Sequence, residues 1–76
     1  MSDFRNLVSK AVKIAGSQRK LAKASGLSQS YISWLLLYAE SRSAVSAESA
    51  IAFERATGGA VTREQLRPDL FGSKVA

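Results

Sequence analysis

Residues 18–35 decide the fold, and they read QRKLAKASGLSQSYISWL. The small Ala22 lets two helices cross at close range, and Gly26 allows a tight turn between them, where a side chain would be strained. Ile32 and Leu35 anchor the second helix by its apolar side. The spacing therefore predicts two helices joined by a short turn, with the polar face of the second helix pointing outward.

The segment before this stretch is predicted to form a first helix, because its apolar residues recur at helical spacing. The helix runs from Asp3 to Ala15, with Ser2 as its expected N-cap and Gly16 as its end. Its apolar face consists of Phe4, Leu7, Val8, Ala11, Ile14 and Ala15.

Two further helices are predicted after the central stretch. Ser46 is the expected cap of a fourth helix over residues 47–57, whose apolar side is formed by Ala50, Ile51 and Phe53. Thr62 and Gln65 have the spacing of a capping box for a short fifth helix, which Pro68 is expected to end. The residues between the third and fourth helices are polar and predict a loop.

The composition is that of one small globular domain. Its 76 residues allow one modest core, and 46% hydrophobic with 22% charged residues is typical of folded chains. Cysteine and histidine are both absent, which excludes disulfides and thiolate metal sites and removes the usual general base. We expect a compact all-α, five-helix domain over residues 1–71 and a flexible tail over residues 72–76. We expect neither catalysis nor a bound metal or cofactor.

Positive charge is concentrated in the first half of the chain. Residues 1–39 carry six Lys and Arg against one Asp, a net charge of +5, whereas residues 40–76 carry five against five. Such a field attracts polyanions, although a merely solubilising surface would have the same composition. The longest apolar run, residues 34–39, is far shorter than the roughly 20 residues that span a bilayer, and the N-terminus lacks signal-peptide features. A cytoplasmic protein without a membrane partner is expected.

The spacing within residues 18–35 resembles the helix-turn-helix of phage repressors. The chain is similar to the Cro superfamily and, within it, to the YdaS-like group of prophage regulators, which the stretches ERATGG (54–59) and VTREQLRPD (61–69) favour. The resemblance covers residues 4–71 and implies a lambda-repressor-like domain. It also implies repression by a homodimer on double-stranded DNA, at an inverted-repeat operator. The group is also described as the antitoxin of a toxin–antitoxin pair.

By position, the resemblance assigns base contacts to one face of the second helix of the motif, namely to Ser28, Gln29, Ser30 and Ser33. Gln29 is the best reader, because its amide can donate to adenine N7 and accept from N6–H. This face carries no Arg or Lys to read guanine, so we expect a site rich in A·T pairs or partly read by shape. Ser28 suits a helix cap as well, and Gln29 and Ser30 could be simply solvated.

Contacts to the DNA backbone are expected mainly from the preceding helix. The resemblance places Gln18 beside a phosphate, and Arg19, Lys20 and Lys23 could grip phosphates and set the register, or form a solvated face. For Tyr31 two interpretations remain open. It contacts the sugar-phosphate backbone or a thymine methyl group, or it packs within the protein.

Trp34 and Leu37 depart from the expected pattern. Related sequences carry a polar residue at position 34 and place the tryptophan one residue later. Packing of Trp34 against the following loop is favoured over stacking on the DNA backbone or joining an interface. Leu37 is one apolar residue more than the buried stripe needs and is expected in a dimer or partner patch. The alternative function is therefore an antitoxin that binds a partner protein through Leu37, Tyr38, Leu70, Phe71 and Val75.

Overall fold

Six α-helices and one short 3-10 helix make up the part of the chain that the structure describes. The computed structural model describes the backbone of residues 3–71 and the side chains of residues 4–41 and 43–71. In chain order the helices are α1 (Asp3–Ala15), α2 (Gln18–Ser25), α3 (Gln29–Leu37), the 3-10 helix (Arg42–Ala44), α4 (Ala47–Ala56), α5 (Arg63–Leu66) and α6 (Pro68–Phe71). The predicted all-α class is confirmed, whereas the predicted number of helices is one too low.

Helix α1 has the predicted span, and its buried side is formed by Phe4, Val8 and Ala11, which are spaced by one turn. Ile14, which the apolar pattern places on the same side, is instead 45% exposed. At about 100° per residue it lies about 80° around the helix from Phe4, beyond the edge of the buried strip. The expected cap Ser2 lies outside the described residues.

Local hydrogen bonds set the ends of α2 and α3. The Oγ of Ser17 accepts from the backbone N–H of Lys20 at 3.1 Å, and the Oγ of Ser28 accepts from the N–H of Tyr31 at 3.0 Å. Each serine thereby satisfies a donor that the first helical turn leaves without a partner. Helix α2 ends at Gly26, whose φ of 78° lies in the left-handed region that glycine tolerates. The predicted cap at Ser28 and the predicted turn at Gly26 are confirmed.

Pro68 accounts for the additional helix. It follows α5, as predicted, but it also begins α6, because the first position of a helix needs no N–H and suits the fixed φ of proline. The capping box of α5 is present. The Oγ1 of Thr62 accepts from the N–H of Gln65 at 3.1 Å, and the Gln65 side chain accepts from the N–H of Thr62 at 3.0 Å.

A single core joins the helices. Ala50 and Phe53 of α4 are fully buried, but Ile51, which was expected beside them, is only half-buried, because it lies about 100° around the helix from Ala50. The radius of gyration is 11.2 Å, close to the roughly 11 Å expected for a compact chain of this length. The buried apolar residues are Phe4, Val8, Ala11, Leu21, Ile32, Leu35, Ala39, Val45, Ala50, Phe53, Val61 and Leu66.

Two arginines form hydrogen bonds with the segment that connects α3 to α4. Arg5 of α1 donates from Nε to the carbonyl of Ala39 at 2.9 Å, and its Nη2 donates to the same oxygen. Arg67 donates from Nη1 to the carbonyl of Val45 at 2.7 Å. These bonds fix the segment that follows α3 at both of its ends. Within residues 3–71, no helix has both the length and the apolar character that crossing a bilayer requires.

Candidate nucleic-acid interface

Helices α2 and α3 turn their polar side chains outward because their apolar ones are held in the core. Leu21 of α2 and both Ile32 and Leu35 of α3 are fully buried. The turn between the helices is only three residues long, Gly26 to Ser28. The pair is therefore a helix–turn–helix unit whose second helix is anchored from below.

The outer face of α2 is cationic. Arg19, Lys20 and Lys23 are all exposed, and Arg19 and Lys23 lie one helical turn apart on the same side. Residues 4–39 contain no Asp or Glu that could neutralise them. A concentrated positive potential at this face follows from the sequence and the fold together.

Lys20 lies across the turn between α1 and α2. Its Cδ is 3.1 Å, and its Nζ 3.5 Å, from the position that a Cβ would take at Gly16. A Cβ at position 16 would therefore require the lysine to shift by a few tenths of an ångström. Glycine at this turn lets the ammonium group lie near the start of α2, where the backbone N–H groups of the first turn add further positive character.

The first turn of α3 presents three small or medium polar side chains to solvent. Ser28, Gln29 and Ser30 are all exposed. The Oγ of Ser28 already accepts the capping bond, but its own proton remains available for donation. Gln29 offers both a donor and an acceptor at the tip of its side chain. Their assignment as base contacts stays a prediction.

Gln18 and Ser33, which the sequence places in different helices, are hydrogen-bonded to each other. The hydroxyl of Ser33 donates to Oε1 of Gln18 at 2.5 Å, and both side chains are half-buried. The bond joins the first residue of α2 to the second turn of α3. It leaves the amide NH₂ of Gln18 available to a ligand and fixes the angle between the two helices.

Tyr31 packs within the protein. Its hydroxyl donates to the carbonyl of Ala44 at 2.7 Å, and its ring stacks on that of Trp34, with centroids 6.4 Å apart and planes inclined by 19°. Of the two interpretations left open by the sequence, packing is therefore the one for which the structure shows contacts. A shallow cleft of about 450 Å³ beside this ring is lined by Gly26, Leu27, Ser28, Tyr31, Ala44, Ser46 and Ser49.

The last turns of α3 continue the outer face with apolar side chains. Trp34 follows Ser30 by one turn and is 45% exposed, although packing had been favoured for it. One face of its ring is covered by Tyr31. Leu37 and Tyr38 follow with exposures of 65% and 68%, so the predicted exposure of Leu37 is confirmed. The outer face of α3 thus changes from polar to apolar along its length.

Four charged side chains in the second half are bonded internally. The Oε1 of Glu54 accepts from the backbone N–H of Arg63 at 3.0 Å and from the Nε of the same residue at 2.9 Å. These bonds hold the pKa of Glu54 below its ordinary value. The Arg67 guanidinium donates to both oxygens of Asp69, at 2.9 and 2.6 Å, which raises the pKa of Arg67.

One family of known proteins matches most of the chain. The family model described as bacterial toxin YdaS matches residues 8–75. The chain belongs to the YdaS family. The resemblance drawn from the sequence is thereby confirmed at the level of the family, which indicates a prophage toxin- or antitoxin-like protein or a regulator. No curated protein and no solved structure matches the chain.

The family match includes the paired charges as well as the helix–turn–helix unit. Glu54, Arg63, Arg67 and Asp69 all lie within the matched residues and within the two stretches that favoured the subgroup. Their hydrogen bonds join α4, α5 and the segment before α4. The charges of this later stretch therefore have a structural explanation that does not involve DNA.

Proposed function

We propose that this member of the YdaS family is a sequence-specific DNA-binding transcriptional repressor. The observation that carries the proposal is the exposed polar first turn of α3, held outward by buried anchors, beside the cationic face of α2. An α-helix of this kind fits the major groove, which is about 12 Å wide. Such a repressor acts in the cytoplasm, and its function requires no catalysis.

In the proposed complex, α3 reads bases and α2 contacts phosphates. Gln29 pairs with the edge of adenine, and Ser28 and Ser30 contact neighbouring bases with less discrimination. The amide of Gln18, through its free NH₂, and the cations of α2 contact the backbone and set the register. Ser33 contributes chiefly by positioning Gln18, because its proton is already donated to that side chain.

The repressor is proposed to bind as a homodimer. One recognition helix makes few base contacts, so a second copy on the same duplex supplies the remaining affinity. Two-fold symmetry then requires an inverted repeat, with half-sites about 34 Å or one helical turn apart. The selection experiment below reports this spacing directly.

Selection of bound duplexes from a random DNA pool tests the proposal. Gln29→Ala should lose the preference at one position of each half-site, by about 1–3 kcal/mol. Lys23→Gln should weaken binding to all sequences alike and reduce the slope of log K against log salt by about 1.8, because each copy of the dimer loses one phosphate contact. Arg55→Gln is the charge-matched control, because Arg55 is exposed on α4, and it should change neither quantity.

Two outcomes would reject the repressor. In one, the protein enriches no sequence from the pool. In the other, Gln29→Ala enriches the same sequence with the same affinity as the parent chain.

Binding to a partner protein is the second candidate function. Leu37, Tyr38 and Leu70 are more than half exposed, and large exposed apolar residues mark protein contacts when they are contiguous. The description of the family as a bacterial toxin also agrees with an action on a cellular target. Growth after induced expression separates the candidates. Inhibition that survives Gln29→Ala with Lys23→Gln, but is lost with Leu37→Ser, favours the partner protein.

A further inference from the structure

The exposed Trp34 occupies the same outer face of α3 as the polar residues that are proposed to read bases. It follows Ser30 by four residues, so its Cα lies about 6 Å further along the helix, roughly the thickness of two base pairs. Its side chain is 45% exposed even though it is the largest on the helix. A helix that places Gln29 and Ser30 against bases therefore brings the indole to the next bases along the groove.

The ring of Trp34 is held in place before any ligand binds. Tyr31 stacks against one of its faces, and the Tyr31 hydroxyl is fixed in turn by the carbonyl of Ala44. A supported ring loses little conformational freedom on binding. What remains exposed is an apolar surface one helical turn beyond Ser30.

We propose that Trp34 is a specificity-determining residue that contacts thymine methyl groups in the major groove. The inference rests on the proposed DNA-binding function and assigns one sequence preference within it. The C5-methyl of thymine is the apolar group that base pairs present in this groove. The contact selects A·T pairs next to the adenine that Gln29 reads.

Charge favours DNA over a second copy of the chain as the occupant of this surface. The helix of Trp34 directly follows the cationic helix α2, and residues 4–39 contain no acidic residue. Two copies that met through this face would bring like charges together, whereas a duplex brings phosphates to them. An apolar contact between copies is the alternative that the experiment distinguishes from DNA.

The test compares thymine with deoxyuridine, which lacks only the methyl group. A duplex selected from the random pool is prepared with uracil in place of one thymine of one half-site at a time. The parent chain should bind the uracil duplex about fourfold more weakly at one position, since burial of one methyl group contributes about 0.8 kcal/mol. Trp34→Ala should bind both duplexes equally. Leu37→Ala, which removes an exposed apolar side chain one turn further on, should keep the fourfold difference.

Each result bears on one hypothesis or the other. Equal binding of both duplexes by the parent chain overturns the inference but leaves the repressor intact, whereas failure to bind any duplex overturns the repressor itself. A methyl effect that persists in Trp34→Ala also overturns the inference. If Trp34→Ala also changes the oligomeric state while it retains thymine discrimination, the surface is a contact between copies and the inference is overturned. Melting by circular dichroism verifies that each variant is folded, and the fluorescence of Trp34, the single tryptophan, should change on binding the parent duplex.

Discussion

The α2–α3 unit and the α4–α6 region use the same kinds of polar residue in opposite ways. Around α2 and α3, the cations Arg19 and Lys23 are exposed beside an acid-free stretch of sequence. In the α4–α6 region, Arg63 and Arg67 are bonded to carboxylates and to a backbone carbonyl. Net charge alone does not reveal which arginines and lysines are available to a ligand. The hydrogen-bond partners in the folded chain do.

The internal bonds of the second region have a clear physical reason. Helices α5 and α6 have four residues each, far fewer than the roughly 12–15 that an isolated helix needs in water. Tertiary contacts must hold them, and the charged side chains supply several. The guanidinium of Arg63 also lies 5.6 Å from the centre of the Phe71 ring, in cation–π geometry. Helices α2 and α3 are longer, with eight and nine residues, and they are held by caps, core residues and the Ser33–Gln18 hydrogen bond.

The largest effect is expected from the loss of a core side chain that supports both regions. Phe53→Ala deletes a fully buried aromatic side chain of α4 and should lower the free energy of unfolding by about 3–5 kcal/mol. A chain of this size has about 4–11 kcal/mol in total, so most of its stability would be lost. Thermal and urea unfolding measure the loss. A variant with near-parental stability would show that the two regions do not depend on this common core.

A smaller effect is expected at two matched glycines, one in each region. Gly26 and Gly59 have φ angles of 78° and 92°, and a Cβ at either position would meet no atom within 4 Å. Alanine should therefore cost about 1–2 kcal/mol of stability at each, from backbone strain alone. Because Gly26 sets the angle between α2 and α3, only Gly26→Ala should also weaken DNA binding. Gel shifts at a temperature where both variants are folded compare their affinities for DNA. Equal affinities would contradict the prediction.

The smallest expected effect concerns the pH dependence of the second region. Bonds from Arg63 lower the pKa of Glu54 in the folded state, so its carboxylate stabilises the fold above the ordinary pKa of 4.5 and loses that effect as the pH falls through the lowered value. Glu54→Gln should therefore lower the melting temperature at neutral pH, and the difference from the parent should narrow in acid. Glu40→Gln, at an exposed residue, is the charge-matched control. A difference that is constant with pH would show that the carboxylate charge is not involved.

Much of the local structure could be predicted from individual residues. Ser28 and Ser46 cap helices as expected, since a serine hydroxyl before an apolar periodic segment can satisfy a first-turn N–H without help from distant residues. The errors arose where residues far apart decide the outcome. Ile14 and Ile51 fit a helical stripe by spacing, but the strip that is buried depends on where the neighbouring helices lie.

The candidate interface shows the same division. The outward polar face of α3 follows from apolar anchors at helical spacing, which the sequence contains. The pairing of Gln18 with Ser33 joins residues fifteen positions apart, and the support of Trp34 by Tyr31 depends on a bond to Ala44. No local pattern encodes these contacts, because each requires two segments to be brought together by the core.

By itself, the sequence determined the helical class, the caps, the tight turn at Gly26 and the concentration of positive charge before residue 40. These properties depend on interactions within a few residues or on composition. Only the tertiary structure decided which arginines are bonded internally and that Pro68 begins a helix. It also decided that Trp34 is exposed, with its ring stacked on that of Tyr31. Hydrogen bonds and stacking act over a few ångströms in space, and the fold alone sets which distant residues come that close.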